Sequence, residues 1–210
     1  MAKAKETIIR KGVEAALKLA SDHPWGELTL ADIAKEAGLD LSEFHGVADK
    51  ADLAAAVEPM LDKAMSAEPA DMEDPPRERL FDVIMLRFEK MEESRAGLLS
   101  LQHWREKNPA RIAALAKSRM SSARWALASA GLDSQGDLPM GLRAAGLAWI
   151  LARTERAWRK ETSADFSRTM AELDKQLREA DERSEWVAKY APWARGGFRK
   201  QRSKDAEDAV

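Results

Sequence analysis

The sequence predicts an all-α protein, and three observations support that prediction. Helix-forming residues dominate the 210-residue chain, strand formers are sparse, and apolar residues recur at helical spacing in successive segments. Hydrophobic residues make up 45% and charged residues 33% of the chain, a balance typical of helical proteins with a solvated face. We therefore expect helices packed around a hydrophobic core, and no β-sheet.

Composition excludes several classes of function. The chain contains no cysteine, so it has no thiol nucleophile, thiolate metal site or disulfide. Its first residues carry charges instead of an apolar run, and no segment approaches the roughly 18 apolar residues that a spanning helix needs. We expect a cytoplasmic protein. Because the formal net charge is −2, any contact with nucleic acid has to come from a local patch.

The first predicted helix runs from about Lys5 to Leu19, and the segment Asp22 to Trp25 reads as the turn that ends it. We expect Trp25 and Leu28 to fill the space between this helix and the following ones. The apolar stripe of the helix consists of Ile8, Ile9, Val13, Ala16 and Leu17.

Residues 29–57 have the pattern of a helix-turn-helix. Thr29 is suited to cap a short helix, Gly38 to end it with a positive φ, and Asp40 to cap a second helix from Leu41 to about Gly46. A longer helix then begins at Asp49. The packing face that such a motif needs is supplied by Ala34, Ala37, Ile33, Leu39, Phe44 and Val47. Any short helix pair with a glycine turn shares these features, so the pattern alone leaves a plain helix pair open.

The spelling of this segment resembles the signature of the TetR family over about residues 6–57. The resemblance rests on Leu30, Ile33-Ala34, Ala37-Gly38, Phe44, Lys50 and Leu53. It implies a homodimer whose three N-terminal helices bind DNA and whose larger C-terminal helical bundle forms a ligand pocket and the dimer interface. The residues it implies for DNA binding are Thr29, Ser42, Glu43, His45 and Lys50.

The recognition segment, residues 40–46, departs from that family's pattern in length and charge. Counted from Gly38 it is one residue short, and it contains two acids but no Arg or Lys. Attraction to phosphates normally supplies a large share of DNA affinity. DNA is therefore expected as a partner only with help from cations elsewhere, for which the candidates are Lys3, Lys5, Arg10, Lys11 and Lys50.

Four further helices are predicted in the C-terminal part. One begins at about Arg77 with a strongly amphipathic pattern, a second runs from Pro109 to near Gly131, and a third from Pro139 to about Lys160. Ser163 or Asp165 is suited to cap the last one. The predicted buried side of the first of these helices consists of Leu80, Phe81, Ile84, Met85 and Phe88.

Residues 77–181 are also similar to the C-terminal part of Coq9, the lipid-binding accessory protein of ubiquinone biosynthesis. Arg87-Phe88, Arg95-Ala96-Gly97, Thr169 and Leu173-Asp174 carry this likeness. It implies an apolar cavity for a hydrophobic ligand or lipid and a late segment that touches a membrane surface. Aromatic and methionine side chains in the middle helices could line the cavity or simply form core. The candidates are Phe88, Trp104, Met120, Trp125 and Trp149.

Catalysis finds no support in the sequence. His23, His45 and His103 lie in different segments without a second ligand one helical turn away, and no phosphate-binding loop or nucleophile elbow occurs. We expect a protein that is not an enzyme and that has no metal or cofactor.

These patterns give a domain plan and two functions. Residues 1–57 form a DNA-binding-like helix-turn-helix domain, residues 58–194 a helical ligand-binding and dimerisation domain, and residues 195–210 a basic tail that we expect to be disordered. The predicted function is a one-component transcriptional regulator controlled by a small hydrophobic ligand. The alternative is a lipid-binding accessory protein with little or no DNA binding.

Overall fold

The computed structural model describes residues 2–134 and 138–190, and these residues form helices and no strand. The predicted all-α fold class is therefore confirmed. The eight α-helices of the described ranges are α1 (Ala2–Leu19), α2 (Leu30–Glu36), α3 (Lys50–Asp62), α4 (Pro76–Glu92), α5 (Arg95–Glu106), α6 (Pro109–Ser129), α7 (Met140–Trp158) and α8 (Ser167–Tyr190). Three short 3₁₀ turns, Trp25–Glu27, Leu41–Phe44 and Lys63–Ser66, lie between them. The predicted basic tail lies outside the described residues.

The structure corrects the sequence-based elements at three places. The helix predicted from Leu41 to Gly46 is a 3₁₀ turn that ends at Phe44, because His45 is extended and Gly46 has a φ of +71°. Helix α5 was not predicted. Phe166 was expected inside the last helix but precedes it, with a φ of +56° that an α-helix cannot contain.

The chain divides into two compact units. The first consists of Met1–Glu68 with Met85–Ser122, and the second of Pro69–Ile84 with Ala123–Val210. Within the first unit α1 packs against α2, α3 and α5. As expected, Trp25 and Leu28 belong to the core, with 0% and 6% of their surface exposed.

In the second unit α7 packs along α8. Trp158 and Leu173 are fully buried, so these late aliphatic and aromatic side chains serve the core of the unit. Glu161, between the two helices, accepts hydrogen bonds from Ser163 Oγ at 2.7 Å and from Thr169 N at 2.9 Å. These bonds fix the start of α8, where backbone N–H groups lack helical partners.

Among the described residues no helix is both long and apolar enough to cross a membrane. The same residues contain no group of three or more His, Asp or Glu side chains that could hold a metal ion.

Helix α5 lies close against the backbone of α1 at one glycine. A Cβ atom added at Gly97 would lie 2.1 Å from the carbonyl oxygen of Leu17. Backbone atoms cannot give way as a flexible side chain can, so only glycine fits here without moving a helix. The same glycine explains why the sequence does not predict α5, because glycine has a low helix propensity and resembles a break in the first turn of a helix.

We predict that Gly97→Ala destabilises the protein by about 1–3 kcal/mol, because α5 has to move away from α1. The matched control is Gly146→Ala in α7, where an added Cβ meets nothing within 4 Å. That control should be stabilising by about 0.5–1 kcal/mol through helix propensity. Urea unfolding of both variants measures the difference, and similar stabilities for the two would contradict the close approach of α5 to α1.

Candidate functional site

The helix-turn-helix begins with the predicted cap on α2. Thr29 Oγ1 accepts a hydrogen bond from Asp32 N at 3.1 Å, and Asp32 Oδ2 accepts one from Thr29 N at 3.0 Å. This reciprocal pair is a capping box, which satisfies two backbone donors at the helix start. At the other end Gly38 has a φ of +63°, so the predicted turn glycine is confirmed.

The element in the place of a recognition helix is the 3₁₀ turn Leu41–Phe44, called the recognition turn. Glu43 Oε2 accepts a hydrogen bond from Asp40 N at 2.8 Å, so the Glu43 carboxylate satisfies a backbone donor at the start of the turn. Phe44 anchors it and is 2% exposed. Its ring packs over Gly12 of α1, where an added Cβ would come within 2.9 Å of a ring carbon.

The five residues predicted to bind DNA divide into two groups. Thr29 and Glu43 make hydrogen bonds within the motif, and Lys50 bonds to the loop before it. Ser42, on the recognition turn, and His45, directly after it, are exposed and make no side-chain hydrogen bond among the described residues. Two polar side chains of this set are therefore exposed and unused by the motif, while the other three support its shape.

Lys50 connects the start of α3 to the loop before α2. Its Nζ donates to the carbonyl oxygens of Gly26 at 3.0 Å and Leu28 at 2.5 Å. Partial burial, together with the positive charge of Arg111, lowers the pKa of Lys50 from its ordinary value. A lysine that ties down the residues preceding the Thr29 cap has a positioning role that the sequence pattern did not reveal.

Cations near the N-terminus are partly neutralised by acids. Arg10 pairs with Glu14 at 2.9 Å, Lys18 with Glu36 at 2.5 Å, and Lys63 with Glu6 at 3.0 Å. Within the described part of the chain, no ion pair is formed by Lys5, Lys11 or Lys35.

A buried network of charged side chains joins α3 to α4 and α5. Glu58 Oε2 accepts from Arg87 Nη2 at 2.5 Å, and Glu58 Oε1 accepts from Arg105 Nη1 at 2.7 Å. Asp62 accepts from Arg87 Nη1 at 2.5 Å and from Ser122 Oγ at 2.7 Å. The four charged residues are each at most 8% exposed. Because two carboxylates face two guanidinium groups, the buried charge is balanced.

The environment moves the pKa values of the two acids in opposite directions. Burial would raise the pKa of Glu58, but the charges of Arg87 and Arg105 outweigh it and hold the pKa at about 2. For Asp62, burial is the larger effect and raises the pKa despite the neighbouring Arg87. Glu58 is therefore the charged centre of the network.

The residues predicted to line a ligand cavity do not share one environment. Phe88 is 1% exposed and belongs to the core, whereas Trp125 and Trp149 are 46% and 56% exposed. Met120 is half-buried on α6. Trp104 lines a groove of about 240 Å³ between α3, α5 and α6.

That groove, called the Trp104 groove below, combines small apolar walls with an aromatic floor and cations. The guanidinium of Arg111 lies 3.6 Å above the Trp104 ring, and Arg111 Nη1 donates to the Trp104 carbonyl oxygen at 3.1 Å. Arg105 also lines the groove and is held by Glu58. The remaining wall consists mostly of small residues: Ala51, Ala54, Ala55, Ala110 and Ala114. The sequence does not single out these arginines, because each lies among other charged residues along the chain.

The described helices have the fold of the TetR-type regulators. A crystal structure of the TetR transcriptional regulator from Nitrosomonas europaea ATCC 19718 superposes with a TM-score of 0.67 at 18% identity, covering 85% of this chain and 98% of that one. A TetR transcriptional regulator from Rhodococcus sp. RHA1 superposes with a TM-score of 0.60 at 14% identity, covering 84% and 94%. The sequence matches no protein-family model and no curated protein. At these identities the likeness establishes the fold.

We predict that Glu58→Gln destabilises the protein by about 3–5 kcal/mol, because it leaves two arginines buried without their shared carboxylate. The matched control is Glu14→Gln, which removes an exposed i,i+4 pair with Arg10 and should change stability by at most about 0.5 kcal/mol. Chemical denaturation at neutral pH compares the two variants.

The pH dependence of the stability of wild type and of Glu58→Gln gives a second test of the network. The Glu58 pKa is lowered from 4.5 to about 2 in the fold, so its stabilisation is present above pH 4.5 and is lost as the pH falls toward 2. The stability difference between wild type and Glu58→Gln should shrink over that range. An equal loss for Glu58→Gln and Glu14→Gln, or a difference that does not depend on pH, would contradict the network.

Proposed function

We propose that the protein is a TetR-like transcriptional regulator, a homodimer that binds DNA through its helix-turn-helix and responds to a small hydrophobic ligand. The strongest support is the capped helix-turn-helix formed by α2 and the recognition turn. It lies within a fold that is shared with two TetR transcriptional regulators over most of their length. The charge pattern decides how such a motif would bind.

In this proposal, base contacts come from Ser42 on the recognition turn and from His45 directly after it, two exposed side chains that the motif itself does not use. Serine hydroxyls and histidine ring nitrogens can both donate and accept hydrogen bonds at base edges. The recognition turn has no cation, so attraction to the phosphate backbone has to come from Lys5, Lys11 and Lys35. With few phosphate contacts, affinity should fall less steeply with salt than for a strongly basic motif.

A homodimer would place two such motifs on one duplex. On α7, Leu142 and Trp149 are 60% and 56% exposed and lie seven residues apart, which puts them on the same side of the helix. Large exposed apolar residues on one helix face suit a symmetric interface. The two recognition turns would then sit about 34–36 Å apart, one turn of B-DNA.

We predict that Ser42→Asp weakens binding to the DNA upstream of the protein's own gene by at least about tenfold, because a new carboxylate would face the duplex. The matched control is Ser66→Asp, which adds the same charge at an exposed serine outside the motif. Fluorescence anisotropy with a labelled duplex measures affinity, and the saturation point gives the number of chains bound.

Binding with two chains per site, lost in Ser42→Asp and kept in Ser66→Asp, supports the proposal. Equal effects of the two variants would show only nonspecific electrostatic contact. No binding at low salt would rule out DNA recognition by this motif.

The Trp104 groove is the proposed site of the ligand. Trp104 lies near the loop that leads into α2: its ring centroid is 6.2 Å from that of Trp25, and a Cβ added at Gly26 would lie 3.3 Å from Trp104 Cδ1. Lys50 bonds to the same loop. A ligand against Trp104 therefore meets the parts that fix the start of the motif, and coupled sites of this kind typically influence each other by about 1–3 kcal/mol in both directions.

We predict that Ala114→Leu, which narrows the Trp104 groove, weakens binding of the fluorescent probe 8-anilinonaphthalene-1-sulfonate by about tenfold, since the added side chain takes the volume the probe needs. The matched control is Ala113→Leu, an equal change at an exposed alanine of α6 that is not part of the groove wall. Equal probe binding by the two variants would place the ligand elsewhere.

A second candidate function is supported by the acidity of the recognition segment. Asp40 and Glu43 stand where a DNA-binding surface usually has cations, and the recognition turn is a single 3₁₀ turn. A lipid-binding accessory protein of the Coq9 kind has no need to attract phosphates, so an acidic recognition segment is compatible with that function. Absence of DNA binding together with a lipid extracted from the purified protein would favour it. Contact with a membrane surface was assigned to the C-terminal segment, which lies beyond the described side chains.

A further inference from the structure

Helices α7 and α8 enclose a groove of about 540 Å³ with an unusual charge pattern. It is called the basic groove below. Five of its lining residues are cations and one is an acid, although the whole chain has a formal charge of −2. The cations are Arg153, Arg156, Lys160, Arg168 and Lys175, the acid is Glu172, and the remaining lining residues are Ala157 and Ala171.

Helical spacing explains why these residues meet. On α7 the lining positions are 153, 156 and 157, with Lys160 in the turn just after the helix, and on α8 they are 168, 171, 172 and 175. The positions on each helix are three or four residues apart and so occupy one helix face. Cations therefore stand on both walls, and the two alanines leave room for a ligand between them.

Most of this charge is not neutralised by the protein. Arg153 Nε donates to Glu172 at 3.4 Å, and Lys175 is 4.0 Å from Glu179. Within the described part of the chain, Arg156, Lys160 and Arg168 form no ion pair.

Three arginines near these helices but outside the basic groove have acidic partners. Arg159 pairs with Glu155, Arg178 with Asp174, and Arg183 with Glu179, in each case with the acid four residues earlier. Arg156 and Arg168 of the groove lack such a partner among the described residues, so the groove stays cationic. Like charges held this close repel each other, and a bound anion would relieve that repulsion.

We propose that the basic groove binds a compact anion with several phosphate groups. Phosphate oxygens suit the fork-shaped donors of Arg156 and Arg168, one on each wall, and Lys160 adds a point charge. Several charges on a small anion match several cations around a concave site. A duplex backbone is convex and extended, and it would contact the rim of such a groove rather than its walls. This site is separate from the helix-turn-helix and does not depend on DNA binding.

The test is calorimetric titration of the full chain with inorganic triphosphate at low and at high salt. The groove variant Arg156→Gln/Arg168→Gln should weaken binding by at least about tenfold, since it removes a charged donor from each wall. The matched control is Arg178→Gln/Arg183→Gln, which removes the same charge from exposed arginines of α8 outside the groove. Circular dichroism checks that both variants remain helical.

Two further measurements test whether the phosphates belong to lipid headgroups and whether the basic groove acts independently of the helix-turn-helix. Vesicles containing phosphatidylglycerol, compared with pure phosphatidylcholine, test whether the phosphates belong to lipid headgroups; binding that the groove variant loses would assign them to lipid. Ser42→Asp should bind triphosphate normally, which separates this site from the proposed DNA contact.

Loss of triphosphate binding in the groove variant alone supports the proposal. Equal weakening in both double variants would reduce it to a general field effect, and no triphosphate binding at low salt would overturn it. Tighter, groove-dependent binding of duplex DNA than of triphosphate would also overturn the choice of a compact anion.

Discussion

The first unit depends on the charge of Glu58. Taking a carboxylate out of water costs several kcal/mol, and that cost is offset only if its partners lie in the right places. Arg87 of α4 and Arg105 of α5 both reach this one carboxylate. Three helices are thus held at fixed positions along their axes, which apolar contacts alone specify poorly. Burying these charges lowers the stability of the fold, but their pairing favours one arrangement of α3, α4 and α5.

That arrangement also determines the surroundings of the helix-turn-helix. Arg105 donates to the carbonyl oxygen of Ala54 at 2.6 Å and so ties α5 to the first half of α3. Trp104 directly precedes Arg105 and Lys50 lies four residues before Ala54, and both reach the loop before α2. The Trp104 groove and the start of the motif therefore share the same supports. A small molecule in that groove would act on rigid parts of the unit rather than on a loose loop.

The distribution of charge says more about the binding partners of this protein than its fold does. Glu43 of the recognition turn accepts a hydrogen bond from Asp40 N, and Ser42 and His45 are exposed, while the basic groove of α7 and α8 has five cations and one acid. One fold can carry unrelated functions, so function has to be inferred from the site. The distribution of charged side chains on the described surfaces therefore distinguishes one kind of binding partner from another.

The sequence by itself determined the helical fold, the Thr29 cap, the Gly38 turn and the burial of Trp25, because caps, turns and helical periodicity depend on residues a few positions apart. It could not determine that Lys50 supports the loop before α2, that Arg87 and Arg105 share Glu58, or which of Phe88, Trp104 and Trp149 is core, groove or surface. Nor could it show that Gly97, in the first turn of α5, lies against the backbone of α1. Those facts join residues up to 80 positions apart, between Leu17 and Gly97. Only the packing of helices brings such residues together, and one amphipathic pattern is compatible with many packings.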